Sequence, residues 1–386
     1  MVKRKFELPG IQDLSKDQER ARALPKEGCH LIIGGPGTGK SVIALLRARR
    51  YHSDNDYIFL VYNKLLNDAS CQLIGNQLNN ATWISWFLKA YQTAVGASIP
   101  MGEEENGWRP IQWSEAIHQI SLAAEIPPPE KPFLIIDEGQ DMPPEFYEAL
   151  ANMRYENFFV VADQNQQITE LNSSRRDLEN KLLINTNEVI VLKENYRNAY
   201  PVARLAQEFF TGVSELPELP PARPSVEKPV IVEYGNGCKF DFSAIVVHIL
   251  KRADREPSKL IGVITPDNKV RDRYLQELGR ADVHLDNGMP RIATYASGQK
   301  SDLSFSEGGI VVINCQSCKG LEFDTVFLAD IHEYHCNQTN EEVVKRRFYV
   351  MVARARERVV LLKEAGRCCP VETILPKDEN ILGRWR

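Results

Sequence analysis

The chain has 386 residues, 43% hydrophobic and 26% charged, with a formal net charge of −5. That length gives room for two or three domains with buried cores, and the charge excludes a surface coated in basic side chains for indiscriminate nucleic-acid binding, though not a narrow basic channel. No run approaches the ~18 apolar residues of a membrane span, the start Met1-Val2-Lys3-Arg4-Lys5-Phe6 lacks the apolar core of a secretory signal, and the eight cysteines are too scattered for a disulfide framework, so a cytoplasmic protein is expected.

Leu31-Ile32-Ile33 reads as a short strand, and Ser41–Leu46 as the helix that follows it. Between them runs Gly34-Gly35-Pro36-Gly37-Thr38-Gly39-Lys40-Ser41, a complete phosphate-binding loop. Glycines let backbone N–H groups curl round phosphates where a side chain would not fit. The helix that starts near Gly39 adds its positive end. Lys40 would reach the β- and γ-phosphates, and the Ser41 hydroxyl would ligate Mg²⁺. Gly35, Pro36, Gly37, Thr38 and Gly39 make the cradle, so ATP with Mg²⁺ is the expected cofactor pair.

Tyr57–Tyr62 is the next strand, followed by an insertion over residues 64–131 that carries Glu103-Glu104-Glu105, Trp108, Trp113 and Pro127-Pro128-Pro129. A small helical elaboration is expected there. Phe133-Leu134-Ile135-Ile136 has the continuous apolar pattern of a parallel strand buried on both faces. Its carboxyl end delivers Asp137-Glu138-Gly139-Gln140-Asp141 to the crevice where open α/β sheets bind ligands. Asp137 would hold Mg²⁺, and Glu138 would orient and deprotonate the attacking water. Phe158–Val161 is a further strand.

Val189–Leu192 reads as the first strand of a second half, with a helix over Ala199–Phe210 and a proline-rich connector at about 215–229. Strands at Val230–Glu233, Leu260–Ile264, Ile310–Ile313 and Thr325–Leu328 follow, then a helix ending near Arg356 and the strand Val359–Leu362. Strands alternating with helices predict an α/β protein of two parallel-sheet domains, 1–187 and 188–386. Arg47, Arg49 and Arg50 are expected on the outer face of the P-loop helix. Cys315-x-x-Cys318 with His332, His335 and Cys336 has metal-type spacing, but the pair sits in a stretch with another explanation.

That explanation is an ordered set of segments: Ala162-Asp163-Gln164-Asn165-Gln166-Gln167-Ile168, Leu192-Lys193-Glu194-Asn195-Tyr196-Arg197-Asn198, Lys319-Gly320-Leu321-Glu322-Phe323-Asp324 and Tyr349–Arg356. With Leu14-Ser15-Lys16-Asp17-Gln18 upstream, the chain from about residue 10 to 362 resembles the UvrD/Rep-like superfamily 1A DNA helicases. The resemblance implies two RecA-like domains with ATP in the cleft between them. It implies that Gln18 reads the adenine edge, that Tyr196 stacks on the base, and that Gln166 senses the γ-phosphate. Arg197 and Arg354 would be arginine fingers, Glu322 would bond the ribose, and the Gly320 backbone would lie close by.

For nucleic acid the resemblance points to Tyr62-Asn63-Lys64 and to Thr82-Trp83-Ile84-Ser85-Trp86, although either tryptophan fits a place in the core equally well. Gln316 stands where the family has a histidine. Val42, Ala162 and Ala353 also depart from the family pattern, and no stacking aromatic follows Gln167. The large accessory domains are mostly missing. These departures bear on strand separation rather than on hydrolysis. The expected activity is ATP-driven movement on single-stranded DNA, 3′→5′ by resemblance. The alternatives are a nucleotide-gated subunit that regulates a partner protein such as a nuclease, and an RNA-directed motor.

Overall fold

The computed structural model describes residues 4, 7–74, 78–104, 109–123, 125–163, 172–212, 216–222, 227–295 and 303–385. They fall into two compact units: Leu8–Gly35 with Gly39–Lys193, and Met1–Glu7 with Pro36–Thr38 and Glu194–Arg386.

The first unit runs α1 (Lys16–Ala23), β1 (Cys29–Gly34), α2 (Lys40–Arg50), β2 (Tyr57–Val61), α3 (Lys64–Ile74), β3 (Asn80–Thr82), α4 (Trp83–Val95), α5 (Trp113–Leu122), β4 (Phe133–Ile136), α6 (Pro144–Asn152), β5 (Asn157–Ala162), α7 (Arg175–Lys181) and β6 (Ile190–Leu192). Its six strands lie in the order β3-β2-β4-β5-β1-β6, every pair parallel. Side chains alternate between the two faces of the sheet. Leu31, Ile33, Leu134, Ile136, Phe158 and Val160 pack on one side. Ile32, Phe133, Ile135, Phe159 and Val161 pack on the other. Helices cover both faces, which is why these strands read as unbroken apolar runs.

The second unit contains α8 (Tyr200–Glu208), β7 (Val230–Tyr234), α9 (Phe242–Arg255), β8 (Leu260–Thr265), α10 (Asn268–Arg280), β9 (Ile292–Thr294), β10 (Gly309–Asn314), β11 (Phe323–Leu328), α11 (Glu341–Val352), β12 (Ala355–Glu364) and β13 (Gly383–Trp385). Its seven strands lie in the order β13-β7-β12-β11-β8-β10-β9, again all parallel. Val230, Val232, Ile261, Val263, Val312, Phe327, Val360 and Leu362 build the core on one face. Two all-parallel α/β sheets flanked by helices are the architecture of two RecA-like domains.

The structure differs from the sequence reading in four places. The strand at 190–192 does not open the second sheet: it lies along β1 in the first, with Ile32 opposite Ile190, because β1 has an open edge there and Ile190 and Leu192 fill the same core as Ile32. The insertion after β2 is not wholly helical, since Asn80–Thr82 adds an edge strand to β2. The last helix stops at Val352 rather than near Arg356, and Arg356 lies within β12. Arg47 is not on an outer face: it is 0% exposed.

Candidate active site

The turn after β1 leads to α2, whose N-cap Gly39 has φ 85°. This is a backbone position that a side chain would strain. A Cβ at Gly39 would also come within 2.5 Å of the Gln18 Nε2. Gln18 is 5% exposed and closes a capping box on α1: its own N–H donates to the Ser15 Oγ at 3.3 Å, and its Oε1 accepts from the Ser15 N–H at 3.0 Å. The predicted base-reading side chain therefore lies against the start of the phosphate-binding helix, held there by the cap.

Lys40 is 7% exposed. Its ammonium donates to the Gly35 carbonyl at 2.7 Å and pairs with the Asp163 carboxylate at 3.3 Å. The Ser41 hydroxyl donates to the Asp137 carboxylate at 3.1 Å, which places the two predicted cation ligands together. Burial pushes the Asp137 carboxyl up to about 7, and the neighbouring Glu138 charge adds to this, while Ser41 and Lys40 oppose it. A divalent cation would offset that unfavourable buried charge. Hydroxyl and carboxylate oxygens suit Mg²⁺, which takes its remaining ligands from phosphates and water. Among the described residues no group of three or more His, Cys, Asp or Glu is gathered for a metal.

Glu138 follows β4 in the left-handed region, φ 55°. Such a conformation for a side chain other than glycine costs about 1 kcal/mol or more and recurs at functional sites. It aims the carboxylate at Gln140, whose Nε2 donates to Glu138 Oε2 at 2.7 Å. The Gln140 Oε1 in turn accepts from the Asp163 N–H at 2.8 Å, so one amide ties the end of β4 to the end of β5. Gly139 is needed between them, because a Cβ there would meet the Val160 Cγ1 at 2.3 Å.

In the second unit, the Arg197 guanidinium is ion-paired with Glu322, so a predicted finger and the predicted ribose ligand meet. Burial raises the Glu322 carboxyl, but Arg197, Arg356 and Arg4 outweigh it and hold the group below the ordinary value. Tyr196 is 50% exposed, as a ring that stacks on a ligand must be, and its N–H donates to the Gly37 carbonyl at 2.9 Å. Gly320 has φ 77° in the turn before Glu322. Arg354 is buried in the turn between α11 and β12, its Nε donating to the Val350 carbonyl at 3.1 Å, and its carbonyl accepts the Phe323 N–H at 2.9 Å. Arg4 braces the same turn: it pairs with Asp324 at 2.9 Å and donates to the Glu322 carbonyl at 3.4 Å.

The nucleic-acid candidates are scattered in character. Trp83 packs edge-on against Phe146 with ring centroids 5.2 Å apart, in contact with the core, and so sits where a core residue sits. Trp86 does the same against Tyr155 at 5.6 Å. Tyr62 is half-buried against the other face, and Asn63 accepts from the Leu66 N–H at 2.9 Å at the start of α3. Gln316 is exposed in the turn after β10. Gln166 and the stretch 164–171 lie outside the described residues. Cys315 and Cys318 are buried, and burial pushes the Cys318 thiol up to about 12, so neither is a ready thiolate ligand.

Sequence reasoning missed Gln140, Asp163 and Arg47. Asp163 carried a signal, since it ends a buried apolar strand as Asp137 does. Gln140 carried none that separates it from a solvated turn residue.

A phosphate-binding loop at the end of β1, a hydroxyl and an acid at the ends of α2 and β4, and two parallel α/β sheets define a P-loop nucleotide-binding protein of RecA-like architecture. Residues 18–172 match the family model of the AAA domain, and residues 309–362 match that of the UvrD-like helicase C-terminal domain. These two matches support a UvrD-like helicase. Among solved structures, the C-terminal domain of a possible DNA helicase from Lactobacillus plantarum WCFS1 is similar at 18% identity and a TM-score of 0.34, over 49% of this chain and 98% of that one. No protein of curated function matches the chain.

Proposed function

We propose that the chain is an ATP-driven motor that moves 3′→5′ along single-stranded DNA. The observation that carries the reading is the contact of Ser41 with Asp137 at 3.1 Å directly beside Glu138. It supplies a cation site and a base at the mouth of a phosphate-binding loop, in a chain whose second unit matches UvrD-like helicases. In this reading Lys40 neutralises the β- and γ-phosphates and Ser41 and Asp137 hold Mg²⁺, whose charge stabilises the transferring phosphoryl group. Glu138, oriented by Gln140, accepts the proton of the attacking water. Arg197 and Arg354, both on the second unit, are the candidate arginine fingers by resemblance. The form Lys319-Gly320-Leu321-Glu322-Phe323 supports the 3′→5′ direction by resemblance.

A second reading is a nucleotide-gated subunit that regulates a partner protein. The packing of Trp83 on Phe146 favours it, because it removes one aromatic from the set available to stack on bases. Displacement of streptavidin from biotinylated DNA oligomers separates the two. The motor reading expects ATP-dependent release from the 5′ end and not from the 3′ end. Release from the 3′ end alone would reverse the direction, and release from neither end would favour the gated subunit. The same assay on ribo-oligomers tests an RNA-directed motor.

A further inference from the structure

Arg47 is among the largest fully buried side chains in the molecule, at 0% exposure. Among the described residues its partners are carbonyl oxygens and ring faces rather than a carboxylate. Nη1 donates to the Arg22 carbonyl at 3.0 Å and the Leu24 carbonyl at 2.7 Å, and Nη2 to the Pro25 carbonyl at 2.8 Å. The guanidinium lies 4.2 Å from the Phe159 ring centroid, while its Nε is buried with no hydrogen-bond partner. Desolvation lowers its pKa to about 10. A buried cation without a counter-ion is costly, so the site must return something for it.

What Arg47 grips is the C-terminal end of α1, where helix carbonyls are left without intrahelical donors and the dipole favours a cation. Arg47 itself stands on α2, two turns beyond Lys40 and Ser41. At the other end of α1, Gln18 lies against Gly39, the N-cap of α2. The two helices are thus joined at both ends: by Gln18 beside the phosphate-binding loop and by Arg47 behind it.

We propose that Arg47 is the positioning residue that sets the base-reading helix in register with the phosphate-binding helix, and so governs preference for adenine nucleotides. This rests on the reading of Gln18 as the adenine contact. A glutamine amide matches the adenine edge by donating to one ring nitrogen and accepting from the exocyclic amine, whereas guanine offers acceptors at both places. A bidentate contact of this kind tolerates little displacement. If α1 loosens from α2, the amide loses its match to the base while Lys40 and Ser41 keep their hold on the phosphates.

The test compares kcat/KM for MgATP and MgGTP in the wild type and in Arg47→Lys, Arg47→Met and Gln18→Ala, with thermal unfolding recorded for each. Lysine keeps a cation near one carbonyl and guards against simple misfolding. The ATP:GTP ratio is expected to fall by about tenfold in Arg47→Lys and further in Arg47→Met, towards the Gln18→Ala value, through KM for ATP more than through kcat. Folded Arg47 variants that slow with both nucleotides equally, keeping the wild-type ratio, would overturn the positioning role and leave a purely structural one. A wild-type chain with no preference between the nucleotides, unchanged in Gln18→Ala, would instead overturn the base-reading role beneath it.

Discussion

Lys40→Ala is expected to abolish ATP hydrolysis and to lower the stability of the nucleotide-free chain by about 3 kcal/mol. The first effect follows from the loss of the charge that meets the β- and γ-phosphates. The second follows from the pair with Asp163 at 3.3 Å, whose side chains are 8% and 1% exposed: removing Lys40 takes a cation away from a buried carboxylate. The two effects separate in a double variant. Lys40→Ala with Asp163→Ala should regain much of the stability, read by urea unfolding, and none of the hydrolysis. Stability unchanged in the single variant would show that the ion pair contributes nothing to the fold. Hydrolysis retained in it would remove Lys40 from the phosphate site.

Glu138→Gln is expected to bind ATP with affinity of the same order as the wild type and to turn it over about 10²- to 10⁴-fold more slowly. The substitution keeps the shape of a side chain that is 5% exposed and removes only the oxygen pair able to accept a proton. Binding is checked by nucleotide titration and turnover by phosphate release. Wild-type turnover in the variant would place the base elsewhere. In this reading the neighbour Asp137 does not take over, because its carboxylate is engaged by the Ser41 hydroxyl at 3.1 Å and is assigned to the cation.

The parts of the fold that were legible in the sequence are those where burial on both faces dictates composition. The apolar runs within β1, β4 and β5 read as parallel strands because both faces of the sheet are buried there, and Asp137 and Glu138 after β4 read as site residues because strand ends face the crevice. The edge strands β3, β9 and β13 were not legible. Each has three residues, and none carries enough apolar length to distinguish a strand from a loop. Val189–Leu192 was recognisable as a strand, but its sheet was not, because chain order does not say which open edge a strand will join. Arg47 was misplaced for a related reason. A basic residue at the end of a helix is normally solvated, and only the three-dimensional meeting of α1 and α2 supplies the carbonyls that hold it.

Within the candidate site the sequence proposed the residues and the structure supplied linkages between them. The pairing of Lys40 with Asp163, the amide bridge from Glu138 through Gln140 to the end of β5, and the Arg197–Glu322 ion pair all join residues that are distant in sequence or have no local motif. Trp83 went the other way. Its spacing fitted a base-stacking role as well as a core role, and contact with Phe146 gives it the second.

The central claim, a nucleotide hydrolase harnessed to a single strand, is tested most directly by steady-state ATP hydrolysis with and without a single-stranded DNA oligomer, with Lys40→Ala as the blank. The account predicts a rate that rises strongly on adding DNA and falls to the blank in the variant. A rate well above the blank that ignores both DNA and RNA would contradict it and turn attention to a protein partner whose binding the nucleotide controls.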